Sequence, residues 1–370
     1  MTRSFLISAR RSPVAPRNGA LAHLSIEDLA RPVLLETLQD AGIAPEDVGE
    51  LIVANSLGAG GNPARIIALH AGLPETVAGL SVDRQCAGGL DAILLADAMI
   101  RAGSHDIVVA GGVESYSRRP LRFRTFADGQ APLEYHQAQF TPWPDRDPDM
   151  ADAANLLARK YGIGKSVQDA WAVLSHQKAM AAQATTGAAE IVSVADAYKD
   201  TFTRNLTQNH CDRARPVSGN ITAANMAVAA DGAAFVVLVS DTYMKATGID
   251  GVEFIAGKTL GGDPELPGVA PVDAIRHILN ISAIQADDLI CAEIMEAFAV
   301  QAIVCQQGAG IPHEIVNQRG GALARGHPIG ASGAILAVSL FHRLKESKGV
   351  GLAAIAAAGG LGTAMVARSG

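Results

Sequence analysis

Aromatic side chains are scarce in this chain: Phe, Trp and Tyr together make up 4% of its 370 residues. Its core must therefore be built from Ala, Val, Ile and Leu, around backbone that 38 glycines allow to approach closely. Charge is thin as well, at 18% against 49% hydrophobic residues, which excludes a disordered chain and a coiled coil. No basic excess exists. The net charge is −7 and the pI about 5.8, a balance that argues against a nucleic-acid partner. No apolar run reaches the roughly 18–20 residues needed to span a bilayer, so no membrane partner is expected. The opening residues 1–13 also lack the uninterrupted apolar stretch of a signal peptide. The four cysteines, Cys86, Cys211, Cys291 and Cys305, show neither paired nor metal-ligand spacing. That pattern predicts no metal site and fits a reducing, cytoplasmic compartment.

What is present is alternation. Residues 51–55 and 106–112 read as buried strands, and between them residues 90–100 are apolar at helical spacing. Strand, helix, strand in that order predicts an α/β protein with a mostly parallel sheet. The back third repeats the plan. Residues 41–51 resemble 282–292, about 240 positions later, and Gly89-Leu-Asp-Ala-Ile-Leu leading to Val109-Ala-Gly-Gly resembles Ser332-Gly-Ala-Ile-Leu leading to Ala357-Ala-Gly-Gly. An ordered series of matches points to a duplicated α/β domain. Between the halves lies a segment of different character, with an Arg-rich opening (Arg118, Arg119, Arg122, Arg124), a Pro- and Asp-rich stretch, and helical patterns at 150–161 and 166–185. The expected division is residues 1–117 plus about 219–250 for the first half, 118–218 for an inserted loop domain, and 251–370 for the second half.

Two segments carry chemistry. In Val82-Asp-Arg-Gln-Cys-Ala-Gly-Gly-Leu, a strand-like run ends, a Gly pair allows a tight turn and a long apolar helix begins. That places Cys86 at a helix N-terminus, where unpaired N–H groups and the helix dipole favour thiolate. The dipole contributes at most about 2 kcal/mol, which would bring a thiol from about 8.5 to about 7. A nearby base is needed to complete the activation. Taken alone, Cys86 reads more readily as a buried structural cysteine. The second segment is Gly-rich, Asn317-Gln-Arg-Gly-Gly-Ala-Leu-Ala-Arg-Gly-His-Pro-Ile-Gly-Ala-Ser-Gly, and holds one imidazole, His327, ahead of another helix. A His fixed among glycines, opposite the other half's Cys, suits a general base or an oxyanion donor.

The constellation resembles the thiolases. The resemblance rests on the Cys86 segment, Gly111-Gly-Val-Glu-Ser-Tyr-Ser, Glu296-Ala-Phe-Ala, Gly326-His-Pro-Ile-Gly-Ala-Ser-Gly and Ala358-Gly-Gly-Leu-Gly, and covers essentially the whole chain. It implies a duplicated five-layered αβαβα fold with an inserted loop domain. It further implies an acyl thioester on Cys86, His327 as the assisting base, and oxyanion sites formed by His327 and by the N–H groups of Cys86 and Ala358. Met295, Phe298, Ala227 and Gly359 would face the substrate. No permanently bound cofactor is implied: coenzyme A enters as an acyl-CoA substrate, or a carrier protein delivers the thioester. At least a homodimer is implied, with a homotetramer or a mixed complex as alternatives.

Three positions depart from the family pattern. Thiolases carry a second reactive Cys where this chain has Ala356, an Asn where it has Met295, and a pantetheine-facing Ser where it has Ala227. An alanine supplies no acid or base at the substrate α-carbon, and a thioether cannot donate a hydrogen bond. The expected function is therefore a specialised acyltransferase or condensing enzyme that passes an acyl group from Cys86 to an acceptor. The alternatives are an ordinary acetyl-CoA acetyltransferase or 3-ketoacyl-CoA thiolase, and a non-catalytic subunit of a thiolase-like complex.

Overall fold

Two stacks of strands share one edge in the computed structural model, which describes residues 2–58, 60–185 and 189–370. The first half contributes β1 (Ser4–Arg11), β2 (Glu50–Ala54), β3 (Leu80–Val82), β4 (Ile107–Ser115) and β5 (Ala230–Ser240). The second contributes β6 (Val252–Gly261), β7 (Leu289–Ile294), β8 (Gly349–Ala357) and β9 (Leu361–Ser369). Their order is β7-β8-β9-β6-β1-β5-β4-β2-β3, and residues 15–16 pair on the end of β5. Among the described residues the strand ladders of the halves are joined only by Phe5 with Glu253 and Leu6 with Val252, so the two sheets can splay and face each other.

The sheet is mixed, which corrects the expectation of a mostly parallel one. The β2–β3, β2–β4 and β7–β8 pairs are parallel, while β1–β5, β1–β6, β4–β5, β6–β9 and β8–β9 are antiparallel. Burial on both faces makes a strand hydrophobic throughout whatever its direction, and β5 is buried along its whole length. The duplication itself is visible in the pairing. In each half a parallel pair (β2–β4, β7–β8) continues into two antiparallel neighbours (β5 and β1, β9 and β6).

Helices fill the five layers. α1 (Ile26–Ala41) and α2 (Pro63–Ala71) cover the outer face of the first sheet, and α6 (Pro271–Ile281) and α7 (Ala299–Gly308) that of the second. α1 is bounded by its sequence: the Ser25 hydroxyl accepts from the Asp28 N–H, and Gly42 closes the helix at φ 64°. Between the sheets run α3 (Gly88–Arg101) and α8 (Ile329–Glu346). α8 is buried nearly throughout and α3 along the face that carries Leu90 and Ile93, which share one core with Leu336, Leu340 and strands of both sheets. The 116–229 excursion between β4 and β5 holds α4 (Met150–Tyr161) and α5 (Lys165–Thr185), close to the helical patterns in the sequence.

Among the described residues no helix is long and apolar enough to cross a membrane.

Candidate active site

The two central helices meet at their N-termini, and glycines permit the approach. A Cβ at Gly333 would stand 2.4 Å from the Leu90 nitrogen, and one at Gly89 would stand 2.7 Å from the Ala334 nitrogen. Both distances are shorter than any van der Waals contact, so only glycine allows this packing. The result brings together the segments that precede the two helices. Cys86 Sγ lies 3.1 Å from His327 Nε2, although the residues are 241 positions apart.

The imidazole is oriented from behind. His327 Nδ1 is 2.6 Å from Ser332 Oγ, whose hydroxyl donates to the Pro328 carbonyl at 3.0 Å. A hydroxyl has one proton to give, so Ser332 accepts from Nδ1–H, which leaves Nε2 as the acceptor facing the thiol. The His327 backbone N–H is tied to the Val228 carbonyl at 2.8 Å, which fixes the loop as well as the ring.

Electrostatics runs against the expected helix effect on Cys86. Burial pushes its thiol up to about 12. The N–H groups of Cys86 itself and of Ala358 pull it back, while the charges of Glu114 and Asp83 push it further up. Burial also holds His327 down, to about 4. Desolvation disfavours both charged forms, and at Cys86 it outweighs the two N–H groups that favour the thiolate. Burial therefore favours a neutral thiol beside a neutral imidazole.

Both groups open on a cavity of about 310 Å³ with a mainly apolar wall, to which Met150, Leu157 and Met226 contribute. Of the residues singled out in the sequence, Cys86, His327, Ala227, Phe298, Ala356 and Ala358 line it. Met295 and Gly359 are absent from that wall. Met295 is 1% exposed and packs in the core between the sheets, its N–H bonded to the Ala354 carbonyl. The stretch around Ala227 is laced to its surroundings, the Ala227 N–H donating to the Ala297 carbonyl and the Ala299 N–H to the Asn225 carbonyl, both at 2.9 Å.

Several supporting residues went unassigned in the sequence. Glu296 is buried and accepts from Trp171 Nε1 (3.0 Å), Ser175 Oγ (2.7 Å), Asn317 Nδ2 (2.8 Å) and the Leu323 N–H (3.2 Å), which pins the Gly-rich loop ahead of His327. Glu114 and Ser332 are the others. Their signal was a single polar residue inside an otherwise apolar or glycine-rich run, without any indication of its partner.

Comparison with known proteins places this geometry. The thiolase N-terminal domain matches residues 4–242 and the thiolase C-terminal domain residues 252–369. The chain belongs to the thiolase family. It is 39% identical over 377 residues to YhfS of Bacillus subtilis (strain 168), provisionally named an acetyl-CoA C-acetyltransferase, with 98% of each chain covered. It superposes on the crystal structure of the Bacillus anthracis acetyl-CoA acetyltransferase with a TM-score of 0.93 at 32% identity, covering 100% of this chain and 99% of that one. The Ascaris suum Acat5 thiolase, solved in complex with coenzyme A, gives 0.92 at 30% identity, with coverages of 99% and 100%. The fold and the acyltransferase class of enzyme follow from these matches.

Proposed function

We propose that the chain is an acyl-CoA C-acyltransferase of the acetyl-CoA acetyltransferase kind, working through an acyl thioester on Cys86. The observation that carries this reading is the 3.1 Å contact between Cys86 Sγ and an imidazole nitrogen left free to accept, at the wall of an apolar cavity. The thiol attacks the carbonyl carbon of an acyl-CoA while its proton passes to His327 Nε2. The oxygen of the tetrahedral intermediate is held by the N–H groups of Cys86 and Ala358. As the carbon–sulfur bond to CoA breaks, the leaving thiolate takes the proton from His327, so acyl-CoA and Cys86 thiol become acyl-Cys86 and CoA. Preorganised N–H donors of this kind contribute about 3–4 kcal/mol each in known cases. Phe298 and Ala227 would border the pantetheine path, with coenzyme A a substrate and no cofactor held permanently.

The names of the relatives favour the ordinary acetyltransferase over the specialised acyltransferase expected from sequence. One observation favours the second reading. Ala356 lines the cavity, at the position where the thiolase resemblance expects the second reactive Cys, and it brings no proton donor or acceptor there. An enzyme so built would acylate Cys86 and pass the acyl group to an acceptor that needs no help in losing its α-proton. A carrier-protein thioester is the other conceivable donor for that reaction.

Thiolysis of acetoacetyl-CoA by CoA, run beside intact-mass detection of an acyl adduct, separates the readings. Turnover at about 1–10³ s⁻¹ supports the acetyltransferase. An adduct with no thiolysis supports the second reading. Neither adduct nor turnover would leave the non-catalytic subunit. A homodimer or homotetramer is part of the proposal, supported by the exposed Leu121, Phe123 and Leu133 on and beside the hairpin of residues 122–124 and 133–135. Light scattering at micromolar concentration that returned a monomer would refute it.

A further inference from the structure

We propose that Glu114 is the positioning residue that holds the Cys86 segment and the His327 segment in register, a single carboxylate anchoring both sides of the nucleophile–base pair. Glu114 lies on β4 and is fully buried. It meets no cationic side chain among its hydrogen-bond partners. All four of its donors come from loop backbone, a loop side chain and a helix start. Oε1 accepts from Asn55 Nδ2 at 2.8 Å and from the Leu57 N–H at 3.1 Å, and Oε2 accepts from the Ser56 N–H and the Gly330 N–H, each at 3.0 Å.

These donors belong to two different arms. Residues 55–57 follow β2, and the Ser56 hydroxyl donates to Asp83 Oδ1 at 2.8 Å with the Gln85 carbonyl 3.3 Å away. Asp83 Oδ1 in turn accepts the Gln85 N–H at 2.8 Å. Gln85 stands at φ 51°, a left-handed conformation that a non-glycine residue holds only when its surroundings impose it. It directly precedes Cys86, so this arm sets where the thiol points. The other arm is Gly330, in the first turn of α8, between His327 and the Ser332 that orients its ring. Both arms end on the same carboxylate. Two bonds on each oxygen make a rigid joint where two loops alone would be free to part, although burial pushes the carboxyl up to about 7 against the N–H groups of Ser56, Gly330 and Leu57.

A carboxylate this deep is costly to bury, and its charge, like that of Asp83, also bears unfavourably on a Cys86 thiolate. Neither effect helps the fold or the thiolate. A positioning role accounts for both. The inference rests on the proposed function only in taking Cys86 as the nucleophile, and alkylation tests it without any acyl donor.

The measurement is the rate of Cys86 alkylation by iodoacetamide between about pH 6 and pH 9, followed by peptide mass, for wild type, Glu114→Gln and Ser56→Ala. An amide at 114 keeps one acceptor oxygen but turns an NH₂ group toward the other pair of donors, so two of the four bonds that hold the joint are lost. The expected result is a folded Glu114→Gln protein, by circular dichroism, whose alkylation at pH 7 is at least tenfold slower and now rises with pH as an unassisted thiol does. Ser56→Ala leaves the carboxylate in place and cuts only the link to Asp83 and Gln85. It should show the same rising profile with a loss of about three- to tenfold, and it decides the matter if Glu114→Gln does not fold. Wild-type rates and a wild-type pH profile in either folded variant overturn the proposal. Failure of acetyl-CoA to label Cys86, with the alkylation profiles as expected, would refute the proposed function and leave the positioning role standing.

Discussion

The two halves of this molecule put the same element in the same place and load it differently. α3 and α8 are counterparts, each following a loop, each lying between the sheets, each packed N-terminus to N-terminus through glycine. One is preceded by a thiol that follows the left-handed Gln85, the other by a histidine whose ring is fixed to Ser332 and whose backbone N–H is tied to the Val228 carbonyl. Neither half holds a reactive pair by itself. The contact between thiol and imidazole exists because a duplicated fold lets two helix starts approach closely, with different groups on the two copies.

The sharpest way to break the comparison is to remove one partner. Cys86→Ala should abolish any covalent acyl adduct in intact-mass spectra, since Cys211, Cys291 and Cys305 are buried away from the cavity. An undiminished adduct would move the nucleophile elsewhere. His327→Asn should slow acylation by about 10²–10⁴-fold near neutral pH, the usual worth of a positioned base. The deficit should shrink at high pH, where thiolate forms unaided. A third variant attacks the contact between the halves. Gly333→Ala places a methyl against the Leu90 backbone, and thermal denaturation should register a loss of about 1–3 kcal/mol or more. The smallest effect belongs to Ser332→Ala, which frees the imidazole tautomer and leaves the ring in place. Acylation should fall about tenfold, the worth of a single hydrogen bond of about 1–1.5 kcal/mol, with KM for the donor little changed.

The residues that were legible in the sequence share a physical property. Cys86 and His327 each sit in a local signal, glycines and a helix start, that needs no knowledge of the partner. The duplication was legible for the same reason, as two runs of residues with matching order. What escaped depended on contacts across the chain. Strand direction is one case: β4 and β5 are both continuous apolar runs, and burial alone does not say that they run antiparallel. The acidity of Cys86 is another. A helix start read alone predicts a thiol near 7, whereas enclosure by the second half pushes it up to about 12. Glu114 and Glu296 were visible as letters inside recognised motifs, yet their donors lie up to about 216 and 125 positions away. Met295, expected to face substrate, is enclosed between the sheets.

Wild-type protein alone can test whether the halves meet as a neutral thiol and a neutral base. With the imidazole held down at about 4 and the thiol pushed up to about 12, neither group changes its charge across the neutral range, and the Glu114 carboxyl, pushed up to about 7 by burial, is the neighbouring group that titrates there. Protonation of His327 would remove the base only as the pH falls toward 4. The rate of covalent modification of Cys86, measured by peptide mass from about pH 6 to pH 9, should therefore be nearly flat. A rate that climbs about tenfold per pH unit toward a plateau near 8.5, as for an isolated thiol, would contradict it.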